Sequence, residues 1–273
     1  MSADTPFRDI SAAAPTIARE RPRRPGRDAP LSPATDAHPL LAAHGGVVTV
    51  ERLGTVAYEP AWELQDELAK QRRERRIGDR LLLLEHFPVY TVGRGGDEAN
   101  LLATPARLRD IGATLIRVDR GGDITFHGPG QLVAYPIVEL HDPLDLRRYV
   151  RTLEQAVIDT AAAFGVEAGR VEGLTGVWVE EQRKLAAIGV RVKRGVTTHG
   201  LALNVNTDLA WFDEMIPCGI PGKATTSLAR EAGTPIDMEG AEDELARQLA
   251  AHLGVQVGSG APGVVGPAGV REQ

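Results

Sequence analysis

Residues 47–53 alternate apolar and polar side chains with the period of two that a half-buried strand requires. Pro60 then opens a helical stretch to about residue 76. Trp62, Leu64 and Leu68 form its apolar side, and Arg72, Arg73, Glu74, Arg75 and Arg76 read as solvated. Residues 81–85 read as a buried strand, and residues 89–92 as another after Pro88. The clearest helix is predicted over about 144–164. There Leu146, Tyr149, Val150, Leu153, Val157, Thr160, Ala161 and Phe164 recur at three-and-four spacing, and Gly165 closes the run. Short extended segments are predicted at 115–118, 132–138, 177–180, 186–192 and 200–205, and a last helix at about 237–253. The strands come in clusters and do not alternate strictly with helices. The expected fold class is therefore α/β of the α+β kind, with a mixed sheet, and not a doubly wound fold.

Composition limits what these elements can belong to. With 273 residues, 42% of them hydrophobic and 25% charged, the chain can bury a sizeable core. Residues 1–45 are rich in Ala, Pro and Arg without a hydrophobic period, and are expected to form a disordered N-terminal extension. Asp4, Asp9, Glu20 and Asp28 make that segment too acidic for an organellar transit peptide, and it lacks the unbroken apolar stretch of a secretory signal. Residues 46–254 are expected to be a single catalytic domain, and 255–273 a flexible C-terminal tail. The longest aliphatic run, Leu81 to Leu84, is far short of the roughly 20 residues of a membrane span. The net charge of −6 counts against a nucleic-acid binder. One cysteine, Cys218, excludes a disulfide framework within the chain and a multi-cysteine zinc site, and a reducing cytoplasm is expected.

The densest candidate for chemistry is the run from Arg120 to Gln131, which places Arg120, Asp123, Thr125, His127 and Gln131 among four glycines. Glycine lets the backbone turn sharply and approach a ligand closely, and the polar residues between the glycines favour a binding loop over a plain turn. The run is flanked by strand-like segments and reads as the tight loop of a strand–loop–strand at a sheet end. Gly93-Arg94-Gly95-Gly96 also follows a strand, but the third glycine of a dinucleotide fingerprint would fall at Glu98, and no phosphate-loop pattern is present. Neither standard nucleotide loop is supported. Cys218 lies among prolines and glycines (Pro217, Gly219, Pro221, Gly222) in what reads as a rigid loop able to present a thiol. It is either a small buried hydrophobe or a nucleophile. Lys184, one of only four lysines against 27 arginines, opens an apolar stretch. It reads either as a surface lysine at a strand start or as a desolvated partner for a thiolate. His86, His141 and His252 read as structural, without polar company. No two histidines have metal-binding helical spacing, so no metal is expected.

Four ordered blocks then point to one family. Arg120-Gly121-Gly122, Thr125-Phe126-His127, Gly130-Gln131, Val133 and Tyr135 make up the first block. Lys184 to Val190, His199 to Asn204 and Pro217 to Ile220 follow it in order. Together they resemble the octanoyl-[acyl carrier protein]:protein octanoyltransferases over about residues 47–253. The resemblance implies a fold like that of the biotin and lipoate protein ligases, related to class II aminoacyl-tRNA synthetases. It implies transfer of octanoate from octanoyl-acyl carrier protein to the target lysine of apo lipoyl domains, in 2-oxoacid dehydrogenases and in the glycine cleavage H protein. Cys218 would carry an acyl-thioester intermediate, and Lys184 would lower the pKa of its thiol. The substrate would be lined by Arg120, Gly121, Gly122, Asp123, Ile124, Thr125, Phe126 and His127, by Ala187, Ile188 and Gly189, and by Gly200, Leu201 and Ala202. No cofactor is implied, which agrees with the missing nucleotide loops. An acidic carrier would need a local basic patch, for which Arg147, Arg148 and Arg151, or Arg72 to Arg76, are candidates. The rival readings are an ATP-dependent ligase or amidotransferase on the same fold, a cysteine thioester hydrolase, and a non-catalytic binding module.

Overall fold

The computed structural model describes residues 39–42, 46–216 and 223–258. Most of the expected extension, most of the expected tail and the segment containing Cys218 lie outside the described residues.

The chain runs through β1 (Val47–Val56), α1 (Tyr58–Arg73), β2 (Asp79–His86), β3 (Val89–Val92), α2 (Pro105–Asp110), β4 (Thr114–Arg117), β5 (Ile124–His127) and β6 (Gln131–Ile137). Then come α3 (Leu146–Ala163), β7 (Gly169–Val171), β8 (Leu174–Val179), β9 (Arg183–Lys193) and β10 (Val196–Asn204). It ends with β11 (Ala224–Thr225), α4 (Leu228–Ala232), α5 (Met238–Leu253) and β12 (Gln256–Gly258). Among the described residues, the larger sheet has the order β12-β1-β2-β6-β10-β9-β8-β7, with β11 also paired to β9. β1 is parallel to β12 and β2, whereas β2–β6, β6–β10 and β10–β9 are antiparallel. The sheet is mixed, as expected.

The Leu81–Leu84 run is apolar throughout because this sheet is covered on both faces. Successive side chains point to opposite faces. Leu81 and Leu83 pack with Leu153 and Val157 of α3 and Leu245 and Leu249 of α5, while Leu82 and Leu84 pack with Ala61 and Leu68 of α1. α5 begins where Asp237 accepts a hydrogen bond from Gly240 N, and ends at Gly254 in the left-handed region, φ 73°.

Three expectations need correction here. Leu40 and Leu41, inside the expected extension, are buried; Leu41 bridges to Leu140, and Ala42 N donates to Glu139 O at 2.8 Å. At the other end, β12 falls within the expected tail but pairs in register with β1, Val47 opposite Gln256. Both segments are too short to show a period, and each is held by partners distant in sequence. Arg72 is the third case. It is 7% exposed, and its guanidinium donates to Asp79 Oδ1 at 2.6 Å and Glu139 Oε2 at 2.8 Å. It pins α1 to β2 and is unavailable to a surface patch.

A smaller sheet, in the order β4-β3-β5, stands beside the larger one. β3 pairs antiparallel with β5, Thr91 opposite Thr125, and Tyr90, Val92, Ile124 and Phe126 share a core with Phe212 and Met215. Residues 124–127 are therefore a fully buried strand within the segment that reads in sequence as a glycine-rich loop.

Candidate active site

β5 passes into β6 through a turn at Gly128–Gly130 that brings the two sheets together. Gly130 has φ 79°, and a Cβ there would lie 2.7 Å from the Asn206 backbone, so glycine is required. Next to this turn is a cavity lined by Ile124 and Thr125 of β5, Gln131 of β6, Lys184 and Ala187 of β9, Ala202 and Asn204 of β10, and Phe212, Met215 and Thr225. Lys184 is buried, with Nζ 4.8 Å from the centre of the Trp178 ring. That is a cation–π contact in a desolvated setting. The buried reading of this lysine is the one the structure shows. Thr225 of β11 lies directly beside Lys184 in the sheet, and Thr226 N donates to Lys184 O at 2.9 Å. Met215 and Thr225, one on each side of the segment that contains Cys218, thus line the same cavity as Lys184.

Of the residues expected to contact substrate, Ile124, Thr125, Ala187 and Ala202 line this cavity with Lys184, and the others do not line it. Arg120 turns inward: Nη2 donates to Thr91 O at 2.7 Å and Thr91 Oγ1 at 2.8 Å, and Nη1 to Gly121 O at 3.0 Å. Gly121 N donates to Val190 O at 3.0 Å, and a Cβ on Gly189 would lie 2.9 Å from both Arg120 Cδ and Gly121 O. Arg120, Gly121 and Gly189 therefore form a close-packed junction between the glycine-rich loop and β9. Gly122, with φ 89°, makes the turn. The Phe126 ring stacks on Trp211 at 4.9 Å in the small-sheet core. Leu201 is buried in the main core, and Ile188 packs against it. Gly200 sits against β6, where a Cβ would be 2.1 Å from Ala134 O.

His127 is buried, and its Nδ1 is 2.8 Å from Gln131 Oε1. Gln131 Nε2 donates to Phe126 O at 3.1 Å and to Asn204 Oδ1 at 2.9 Å, while Asn204 Nδ2 donates to Thr226 O at 2.9 Å. Because backbone carbonyls only accept, both amide orientations are determined, and His127 must carry its proton on Nδ1. Burial, then the neighbouring His86 and Arg120, hold His127 well below the usual histidine range, so its ring is neutral.

Sequence reading missed the company of His86. Its Nδ1 donates to Val56 O at 2.8 Å, its Nε2 accepts from Tyr135 OH at 2.8 Å, and the Tyr58 ring lies 4.9 Å away. Burial pushes its pKa down to about 4. His252 likewise has a partner, Asp159 Oδ2 at 2.6 Å. His199 sits in the left-handed region, φ 58°, with Nε2 2.9 Å from Asp119 Oδ1, and burial lowers its pKa despite that carboxylate. Tyr58, His86 and Asp119 carried no usable signal in sequence, because α1, β2 and the loop before Arg120 meet only in the fold. Gln131 and Asn204 did stand in the motif blocks. Among the described residues, no group of three His, Cys, Asp or Glu side chains is placed to hold a metal ion.

Comparison with known proteins bears on this geometry. The model of the lipoyl protein ligase A/B catalytic domain matches residues 57–250. An octanoyltransferase of Rubrobacter xylanophilus is 51% identical over 217 residues, covering 78% of this chain and 97% of that protein. The chain belongs to the octanoyltransferase family. The enzyme is thus an acyltransferase of protein lipoylation. An octanoyltransferase of Corynebacterium efficiens is 46% identical over 227 residues, covering 81% of this chain and 88% of that protein. The enzyme also shares its fold with the bipartite lipoate protein ligase of Thermoplasma acidophilum. That match is 17% identical with a TM-score of 0.62, over 80% of this chain and 87% of the other.

Proposed function

We propose that octanoyl transfer by this enzyme runs through an acyl-thioester on Cys218, with Lys184 as its acid–base partner. Octanoyl-acyl carrier protein would be the donor. The acceptors would be apo lipoyl domains of 2-oxoacid dehydrogenases and the glycine cleavage H protein. One observation carries the reading: a buried lysine lines a cavity that also meets Met215 and Thr225, three residues before and seven after Cys218. Half of the lining, Ile124, Ala187, Ala202, Phe212 and Met215, is apolar, as contact with an acyl chain requires.

The cycle balances without a nucleotide. The Cys218 thiolate attacks the donor's thioester carbonyl, the bond to the pantetheine sulfur breaks, and Lys184 gives its proton to the departing thiolate. The acceptor amine then attacks the acyl-enzyme in its neutral form. Its reference pKa of about 10.4 means that it reaches this form by giving one proton to solvent, and the attacking nitrogen sheds a second as the amide forms. Neutral Lys184 takes that proton, and Cys218 leaves as a thiolate, restoring the starting pair. His127 is a weaker base because its burial already opposes any positive charge. The lone cysteine supports a cytoplasmic setting, and among the described residues no helix is long and apolar enough to cross a membrane. The catalytic part is proposed as residues 46–254, extended by the ordered margins at residues 40–42 and β12.

Intact-protein mass after mixing with octanoyl-carrier protein, without ATP or acceptor, tests the reading. A gain of one octanoyl group that vanishes in Cys218→Ser supports it. An unchanged mass with a competent donor would overturn the acyl-enzyme intermediate.

A further inference from the structure

Asp123 lies in the glycine-rich segment expected to hold substrate, but its carboxylate is engaged elsewhere. Oδ1 accepts from Asp97 N at 3.1 Å, and Oδ2 accepts from Asn100 Nδ2 at 2.7 Å. Gly96 packs so closely that a Cβ would be 2.7 Å from Asp123 Oδ1. The carboxylate is thus enclosed by the loop that follows β3. Asn100 also works in the other direction: its carbonyl accepts from Ile216 N at 2.8 Å, beside a bridge between Leu101 and Met215. Ile216 is the last described residue before the segment that contains Cys218. Asn100 therefore joins the glycine-rich loop to the chain two residues before the thiol.

We propose that Asn100 and Asp123 are positioning residues for Cys218. Their hydrogen bond sets where the chain enters the nucleophile's segment, and Asp123 is not a substrate contact. The proposal rests on Cys218 being the nucleophile. The far flank of that segment is already tied to the Lys184 strand through Thr226 N. On the near flank Leu102 N and Ala103 N hold Glu214 O at 2.8 and 3.2 Å, and the bond nearest the thiol is the one from Ile216 N to Asn100 O. A bond between an amide and a carboxylate is among the stronger side-chain hydrogen bonds. Catalysis is also sensitive to small misplacements, a shift of about 1 Å costing on the order of 10²-fold.

Exchanging the two side chains tests this. Asn100→Asp opposes two carboxylates, and Asp123→Ala removes the acceptor of both bonds. The exchange D123N/N100D restores both bonds. The amide then at position 123 can accept from Asp97 N through its oxygen, while its nitrogen donates to the carboxylate at position 100. Three quantities are read on the full-length enzyme: octanoyl loading in single turnover, donor KM, and alkylation of the lone cysteine by iodoacetamide across pH without donor. Melting temperature is followed alongside. We expect each single variant, and Asn100→Ala, to load at least about tenfold more slowly with unchanged donor KM and an altered alkylation profile. The exchange should return to within about threefold of wild type.

Wild-type loading in the folded single variants would overturn the proposal. So would an exchange no better than the singles, or a defect confined to donor KM with normal alkylation, the pattern of a substrate contact. If the Asn100→Asp or Asp123→Ala variant does not fold, Asn100→Ala and the exchange decide on the same terms. Transfer that survives in Cys218→Ser would overturn the nucleophile reading itself, a failure visible without any of these variants.

Discussion

Gln131 Nε2 donates to Asn204 Oδ1 at 2.9 Å inside the molecule, linking β6 to β10 beneath the Lys184 cavity. From this pair one bond leads to His127 and another to Thr226 O, on the residue whose N–H is bonded to Lys184 O. Two neutral amides thus hold both walls of the cavity without placing a charge in it.

Asn204→Leu should therefore be costly. It leaves Thr226 O without its donor and Gln131 Nε2 with one acceptor fewer, in surroundings closed to water. A loss of about 2 kcal/mol of stability is expected, within the range for stranding a buried polar group. Urea denaturation at pH 7 measures it; a change below about 0.5 kcal/mol would show that the network is dispensable.

Lys184→Ala should slow octanoyl loading by about 10²-fold or more at neutral pH. The loss should shrink as pH approaches the ordinary thiol range near 8.5, where Cys218 ionises unaided. Time-resolved mass spectrometry across pH reads both effects. Near-normal loading at neutral pH would remove Lys184 from the pair.

Stability should fall on acidification below about pH 6.5, the ordinary histidine range. His86 titrates at about 4 when folded, against an ordinary value of 6.5, so the unfolded chain binds a proton that the folded one refuses. Its contribution is complete above 6.5 and lost progressively as pH falls towards 4, about 3 kcal/mol in all. His127 acts in the same direction. Urea midpoints at pH 7, 5.5 and 4.5 should show a shallower decline for His86→Gln than for wild type; equal slopes would contradict the assignment.

Gly200→Ala should be among the most damaging small substitutions. The new methyl would lie 2.1 Å from Ala134 O and 2.8 Å from Pro136 Cδ, so β6 and β10 would have to separate. A loss of about 3 kcal/mol or more, or failure to accumulate folded protein, is expected. Thermal melting checks it, and a wild-type melting temperature would mean that the strands yield easily.

Much of this molecule is legible because its signals are local. The period of two at residues 47–53, the apolar run at 81–85 and the three-and-four spacing of 144–164 correspond to β1, β2 and α3. Asp237 and Gly254 bracket α5 by cap chemistry that acts within one turn. The ordered motif blocks revealed the family and the candidates Lys184 and Cys218. β5 was hidden, because Ile124–His127 is a strand only through its pairing with β3. His86 looked solitary because Tyr58 and Tyr135 reach it from other elements. Asn100, in an ordinary polar loop, gave no sign of reaching Asp123, 23 residues away, or Ile216.

By itself the sequence determined where most of the longer helices and strands form, which faces are apolar and which residue types could do the chemistry, since periodicity, capping and glycine freedom act over a few residues. Only the tertiary structure decided which of those residues meet. Strand register and the junction of the two sheets bring Gln131 to Asn204 across 73 positions, and no local preference encodes that distance.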